Sequence, residues 1–263
     1  MSFPLGLSSY TFPWAVGVES FLPVKRYDIP DLIQKTVAAG LHRLQICDNI
    51  AFDTLPLPHQ LPAEFQLEIG TRRLTQENLL LYLSFCESMG SPFLRVVIDD
   101  VDYHPTEDEV IEVIREVLPH FKKANVILAL ENHDRFSVAS LVRIIHQTDR
   151  DWVGICLDTA NSFGAAEGVK EVVEALAPYT VNFHCKDFVI KRLPHKMGFT
   201  IEGCPTGTGM LNVPWVLQTL RKYNRCLSMT LEVWSSPEAN LEATLSKEQA
   251  WVEQSIHYLK QQI

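Results

Sequence analysis

The sequence predicts an α/β protein folded as a single (β/α)8 TIM barrel, one domain over residues 1–263. Three observations predict it. Short apolar runs alternate with segments of helical periodicity, the pattern of parallel strands joined by crossover helices. Four consecutive runs, VILALENHD (126–134), VGICLDTAN (153–161), TVNFHCKD (180–187) and CLSMTLEVW (226–234), are apolar enough to be buried on both faces. No linker or composition break divides the chain. The rival, an open doubly wound sheet, would more naturally show a glycine-rich first turn, and Gly6-Leu-Ser-Ser lacks that spacing.

The elements follow in order. Pro4–Phe12 reads as the first strand, and Asp31–Ala39 as a helix that Gly40 can end in the left-handed region. His42–Asp48 is the second strand, and the proline-rich segment after it permits only a short helix. Gln66–Arg72 is strand three, followed by a helix that Thr75 caps and Gly90 closes. Phe93–Asp99 is strand four, with a helix from Thr106 to Lys123. The four apolar runs supply strands five to eight. Helices are expected near Ser137, over Val169–Ala177 and over Val213–Tyr223, with a last amphipathic helix over Lys247–Gln261.

Composition narrows the function. Hydrophobic residues at 46% and charged residues at 21% match an ordinary enzyme. A net charge of −9 argues against nucleic acid and anionic membranes as partners. No apolar run approaches the roughly 20 residues of a membrane helix. The N-terminus lacks the pattern of a signal peptide. Six cysteines without a CxxC pair, several inside apolar strands, point to a reducing cytoplasm.

Each of the four apolar runs carries one hard ligand near its C-terminal end: Glu131, Asp158, His184 and Glu232. A barrel brings these side chains to one point at its mouth. Three carboxylates and an imidazole suit one divalent ion, with manganese favoured and magnesium, cobalt or zinc also admitted. Taken singly, such a Glu is more often a cap or ion-pair partner and such a His a hydrogen-bonded core residue.

The pieces LENH (130–133), GICLDTAN (154–161), FHCKD (183–187) and LEVW (231–234) resemble the sugar phosphate isomerase/epimerase superfamily, the xylose isomerase-like barrels, over nearly the whole chain. The resemblance implies metal ligation by Glu131, Asp158, His184 and Glu232. It also implies that Glu131 and Glu232 act as acid and base on opposite sides of a substrate carbon. That superfamily hosts epimerases, isomerases, dehydratases, decarboxylases and endonuclease IV, so the family does not name the reaction. Free-ketose epimerases of the family carry a histidine where this chain has Asn161, and an arginine where it has Ile190.

Other residues are candidates for substrate contact. Alternation along a strand places His133 on the face of Glu131 and Lys186 on the face of His184. Lys186 would hold a substrate anion, or else pair with Asp187 or Glu232. His133 would bond a sugar hydroxyl or brace the ligands. Asn161, Glu202 and Trp14 complete the set, with Tyr10, Phe12 and Trp234 as further walls. The loop Gly203–Met210 would offer backbone amides to an anion, form a lid, or be a plain connection. Arg95 and Gln45 point into the barrel, as core network or as substrate contacts.

The first functional expectation is a metal-dependent isomerase or epimerase of a small sugar or sugar derivative, working through a metal-stabilised enediolate. The alternative is a lyase, a decarboxylase or dehydratase of a keto-sugar acid at the same site. A DNA-repair endonuclease would need more metal ligands and a basic face. A non-catalytic binding protein would be expected to have lost a ligand. The partner is a small carbohydrate or sugar acid, and a homo-oligomer is among the expected states.

Overall fold

A computed structural model describes residues 3–19, 22–56 and 58–263; Met1, Ser2, Ser20, Phe21 and Leu57 lie outside it, and with them those points of the N-terminal and proline-rich readings. The chain runs β1 (Leu5–Ser8), α1 (Pro13–Val16), α2 (Ile29–Ala38), β2 (Arg43–Ile46), β3 (Gln66–Arg72), α3 (Gln76–Met89), β4 (Phe93–Val97) and α4 (Glu107–Ala124). It continues β5 (Ile127–Glu131), α5 (Val138–Gln147), β6 (Val153–Asp158), α6 (Val169–Leu176), β7 (Thr180–Cys185), β8 (Phe188–Arg192), β9 (Phe199–Gly203), α7 (Val213–Arg221), β10 (Ser228–Leu231) and α8 (Leu241–Lys260).

Strands β1 to β7 and β10 close into a parallel barrel in the order β1-β10-β7-β6-β5-β4-β3-β2, which is the expected (β/α)8 architecture. The core lies between this barrel and its helices. Leu44, Leu67, Leu94, Leu128, Ile155, Phe183 and Met229 are fully buried in it. Leu44, Leu67 and Phe183 belong to side chains that a strand must cover on its outer face, so the helices pack there.

Helix ends follow local chemistry. Asp28 caps α2, accepting from Asp31 N at 2.8 Å, so that helix starts before the expected Asp31. Asn240 likewise caps α8 through Ala243 N at 2.9 Å and starts it well before the expected Lys247. Gly40 and Gly90 end α2 and α3 with φ of 66° and 67°, as anticipated. The proline-rich segment between β2 and β3 forms only 3-10 turns, at Phe52–Thr54 and Pro58–Gln60.

Two differences from expectation matter for function. Strands β5, β6, β7 and β10 stop earlier than their apolar runs suggested, because pairing ends where neighbouring strands end. The connection after β7 is not a bare loop. It contains the antiparallel hairpin β8–β9, which pairs Phe188 with Gly203 and Arg192 with Phe199 outside the barrel.

Candidate metal centre

Each ligand candidate sits where its strand leaves the barrel. Glu131 ends β5, Asp158 ends β6, His184 is the penultimate residue of β7, and Glu232 follows β10 directly. Asp158 lies level with His184 across β6 and β7, and His184 with Thr230 across β7 and β10. All four side chains are buried.

They converge on the imidazole. His184 Nδ1 is 3.4 Å from Glu131 Oε2 and 3.3 Å from Glu232 Oε1. Donor atoms of Asp158, His184 and Glu232 all lie within 4.8 Å of one another, and Glu131 and His184 form a second such group with Cys156. Burial pushes its thiol well above the usual range, and Sγ donates to Asn182 Oδ1 at 3.2 Å.

Local bonding turns particular atoms into the site. The Nε2–H of His184 donates to Gln45 Oε1 at 2.7 Å, which leaves Nδ1 as the nitrogen facing the carboxylates. Asp158 Oδ1 accepts from Ala160 N at 2.7 Å and Asn161 N at 2.9 Å, which leaves Oδ2 facing inward. His184 Nδ1 and Asp158 Oδ2 are buried and have no hydrogen bond. Lys186 Nζ stands 2.9 Å from that oxygen, a charge contact without hydrogen-bond geometry. Asp158 Oδ2 thus meets only that charge, and His184 Nδ1 is a buried acceptor left without a donor, which is costly unless a cation meets it. A hard divalent ion therefore fits the residues present.

The surrounding charges are arranged about the same point. Lys186 Nζ also lies 2.9 Å from Glu232 Oε2, and Ser8 Oγ donates to Glu232 Oε1 at 3.1 Å. Arg95 Nε pairs with Glu131 Oε2, and Asn161 Nδ2 donates to Glu131 Oε1 at 2.8 Å. Burial alone would raise Glu131, but the Arg95 guanidinium and Lys186 hold it well below the usual carboxylate range. Burial opposes ionisation of Glu232 as well, and Lys186 helps bring it below the ordinary value. For Lys186 burial disfavours the ammonium, while Asp158, Glu232 and Glu131 raise its pKa far above the usual one. Three candidate ligand carboxylates thus face two fixed cations, leaving the set negative and suited to a divalent ion.

Of the residues expected at the site, Glu131, Asp158, His184, Glu232, Lys186 and Asn161 are brought together. His133 lies beyond the end of β5, where strand alternation no longer sets its direction, and its Nδ1 is 3.1 Å from Asp134 Oδ2. Trp14 and Glu202 line a mostly apolar cleft of about 390 Å³ with Ile201, Gly203, Trp234 and Ser235. Glu202 pairs there with Lys191 Nζ at 2.8 Å, across the β8–β9 hairpin. Trp14 Nε1 donates to Ser235 O at 2.9 Å.

The Gly203–Met210 loop does meet an anion, but one from this chain. Asp187 Oδ2 accepts from Gly207 N at 2.9 Å and Gly209 N at 3.0 Å, and Oδ1 from Phe188 N at 2.8 Å and Leu211 N at 3.0 Å. A Cβ on Gly209 would fall 2.3 Å from Asp187 Oδ1, so glycine is required for this wrap. Asp187 is therefore not the partner of Lys186. Gln45 and Arg95, readable as core network or as substrate contacts, are bonded to His184 and Glu131. Ser8 was missed, since a lone small residue in a first strand carries no signal of what it will face.

Residues 18–262 match the family described as Xylose isomerase-like TIM barrel, and the chain belongs to it. It is 33% identical over 267 residues to a 3-oxo-isoapionate decarboxylase of Pectobacterium atrosepticum, covering 97% of this chain and 94% of that one. It is 23% identical over 177 residues to an L-ribulose-5-phosphate 3-epimerase of Salmonella paratyphi A, covering 65% of this chain and 60% of the other. Among solved structures, a xylose isomerase-like barrel protein of Mycobacterium smegmatis in complex with magnesium superposes with a TM-score of 0.66 at 15% identity, covering 98% of each chain. These relatives are enzymes acting on small sugar-derived substrates or share their barrel.

Proposed function

We propose that this chain is a divalent-metal-dependent lyase that removes carbon dioxide from a 3-oxo sugar acid. The observation that carries the reading is Lys186, whose ammonium lies 2.9 Å from both Asp158 and Glu232 rather than on Asp187. Arg95 and Lys186 plus a divalent ion exceed the three ligand carboxylates in charge, so an anionic substrate balances the site. The near-full-length likeness to a 3-oxo-isoapionate decarboxylase supports the same substrate class.

Glu131, Asp158, His184 and Glu232 would hold one ion, manganese being favoured by the mostly oxygen donor set. When bound, the ion supplies Lewis acidity that draws electron density toward the substrate's 3-oxo oxygen. Gln45 fixes the imidazole so that Nδ1 faces the site. As the bond to the carboxyl group breaks, negative charge leaves that group and gathers on the former carbonyl oxygen. A cation on the departing carboxylate would stabilise the start and oppose this flow. A cation beside the ligand set, where Lys186 stands, favours it. Glu232, beside Ser8 and Lys186, would relay a solvent proton to the carbon.

The epimerase reading is second. The L-ribulose-5-phosphate 3-epimerase relative favours it, while Asn161 and Ile190 depart from the free-ketose pattern. We place the enzyme in the cytoplasm, because all six cysteines are free thiols. The decisive experiment gives the manganese-loaded protein 3-oxo-isoapionate and, separately, L-ribulose 5-phosphate, following carbon dioxide release and C3 inversion. Carbon dioxide from the first substrate alone is expected. Inversion of the second without carbon dioxide from the first would replace this reading with the epimerase.

A further inference from the structure

The two glutamates on either side of His184 are held by chemically different partners. Glu131 has both oxygens engaged, one by Arg95 Nε and the other by Asn161 Nδ2 at 2.8 Å. Neither donor gives up its proton: a guanidinium does not deprotonate in proteins, and an amide N–H is far weaker still as an acid. Arg95 is itself fixed. It is 3% exposed, its Nη1 lies 3.3 Å from Asp48 Oδ1 and 3.2 Å from Thr71 O, and Asp48 is held by Tyr10 Oη at 3.1 Å and Arg72 Nε at 3.0 Å. Glu232 instead meets the Ser8 hydroxyl at 3.1 Å and the Lys186 ammonium at 2.9 Å. The hydroxyl and the ammonium each turn about a single bond, so either can swing off a Glu232 oxygen and free it.

The difference bears on the reaction. Epimerisation takes a proton from one face of a carbon and returns one to the other, so it needs two carboxylates free to move protons. Decarboxylation needs one. The bond to the carboxylate carbon breaks, its electron pair forms the enolate, and carbon dioxide leaves. One proton then adds to the carbon as the ketone is restored, so the overall change is one proton consumed and one carbon dioxide released.

We propose that Arg95 is the positioning residue that decides between these outcomes: by fixing Glu131 together with Asn161, it withdraws that glutamate from proton transfer and leaves protonation to the Glu232 face alone. The inference rests on the decarboxylase reading for its natural substrate, and it is tested on a second substrate as well.

The manganese-loaded enzyme and its Arg95→Met variant are incubated in deuterium oxide with 3-oxo-isoapionate and with L-ribulose 5-phosphate. Deuterium content and configuration are read by NMR and chiral chromatography. Wild type is expected to give one configuration at the newly protonated carbon and no inversion at C3 of L-ribulose 5-phosphate. Arg95→Met is expected to raise the minor configuration at least tenfold and to begin C3 inversion with deuterium uptake. Arg95→Lys, which keeps a cation beside Glu131, is expected to restore the single configuration. A purely structural role would lower the rate without touching configuration. If a folded, metal-loaded Arg95→Met keeps one configuration and shows no inversion, the inference is overturned. Should that variant not fold, Arg95→Gln keeps much of the volume without the charge, and the same two readouts decide. Failure of wild type to release carbon dioxide would sink the proposed function, while the inversion comparison on L-ribulose 5-phosphate would still judge Arg95.

Discussion

Gln45 determines which nitrogen His184 offers to the site: its Oε1 accepts from Nε2 at 2.7 Å, and Nδ1 is left facing Glu131 and Glu232. The Gln45 amide is locked in turn by donating to Asn182 Oδ1 at 3.2 Å. Replacing Gln45 by Leu removes the acceptor that sets the tautomer. Manganese affinity, measured by titration calorimetry, should fall roughly 10- to 100-fold, as is usual when the partner of a ligating imidazole is lost. Unchanged affinity would mean that the barrel wall alone orients the ring.

Metal stoichiometry tests the ligand set. Wild type should bind one manganese per chain, and His184→Ala or Asp158→Asn should abolish activity while the circular dichroism spectrum is retained. Full occupancy in His184→Ala would require a different centre.

Lys186→Met should retain the metal and lose at least about 2 kcal/mol of transition-state stabilisation on a 3-oxo sugar acid, the scale of a charged contact. The comparison is kcat/KM on 3-oxo-isoapionate at matched manganese occupancy. Near-normal kinetics would remove Lys186 from the mechanism.

Asp187→Ala should destabilise the protein by about 3 kcal/mol or more, because it strands four backbone N–H groups around a buried position. Urea unfolding gives the answer through the midpoint at constant slope. A loss below 1 kcal/mol would show that water replaces the carboxylate at little cost.

Glu248 supplies a pH dependence remote from the ligands. Its carboxylate accepts from Trp14 N at 2.8 Å and Ala15 N at 3.1 Å, at the start of α1. Burial nevertheless pushes its pKa up from 4.5 to about 7. Between those values the folded state holds a proton that the unfolded state has released. The Glu248 contribution is therefore fully present below pH 4.5 and declines as pH rises to about 7. The stability of wild type relative to Glu248→Gln should drop by up to about 3 kcal/mol across that window. A flat difference in denaturant titrations at pH 5 and 7.5 would contradict it.

The barrel and the convergence of its candidate ligands were legible for one physical reason. A parallel strand buried on both faces must be apolar, so Glu131, Asp158, His184 and Glu232 stand out against their own runs. The contacts beside them were not legible. Arg95 lies on β4 and reaches across to β5, and Ser8 reaches from β1 to the residue after β10, and neither pairing follows from any periodicity in one strand. His133 was assigned by alternation past the point where β5 ends. The β8–β9 hairpin has half of its strand residues exposed and no regular alternation, so no burial pattern marks them as strands.

The Asp187 clamp has a consequence for engineering. One carboxylate gathers backbone from Phe188, Gly207, Gly209 and Leu211, and so cinches the excursion at its base, next to Lys186. The hairpin's distal bend, residues 193–198, lies beyond that cinch and is largely exposed. Length changes there are expected to be absorbed above the cinch without reaching β7. This bend is the place to graft a reporter or splice in extra sequence while leaving the barrel mouth as it is.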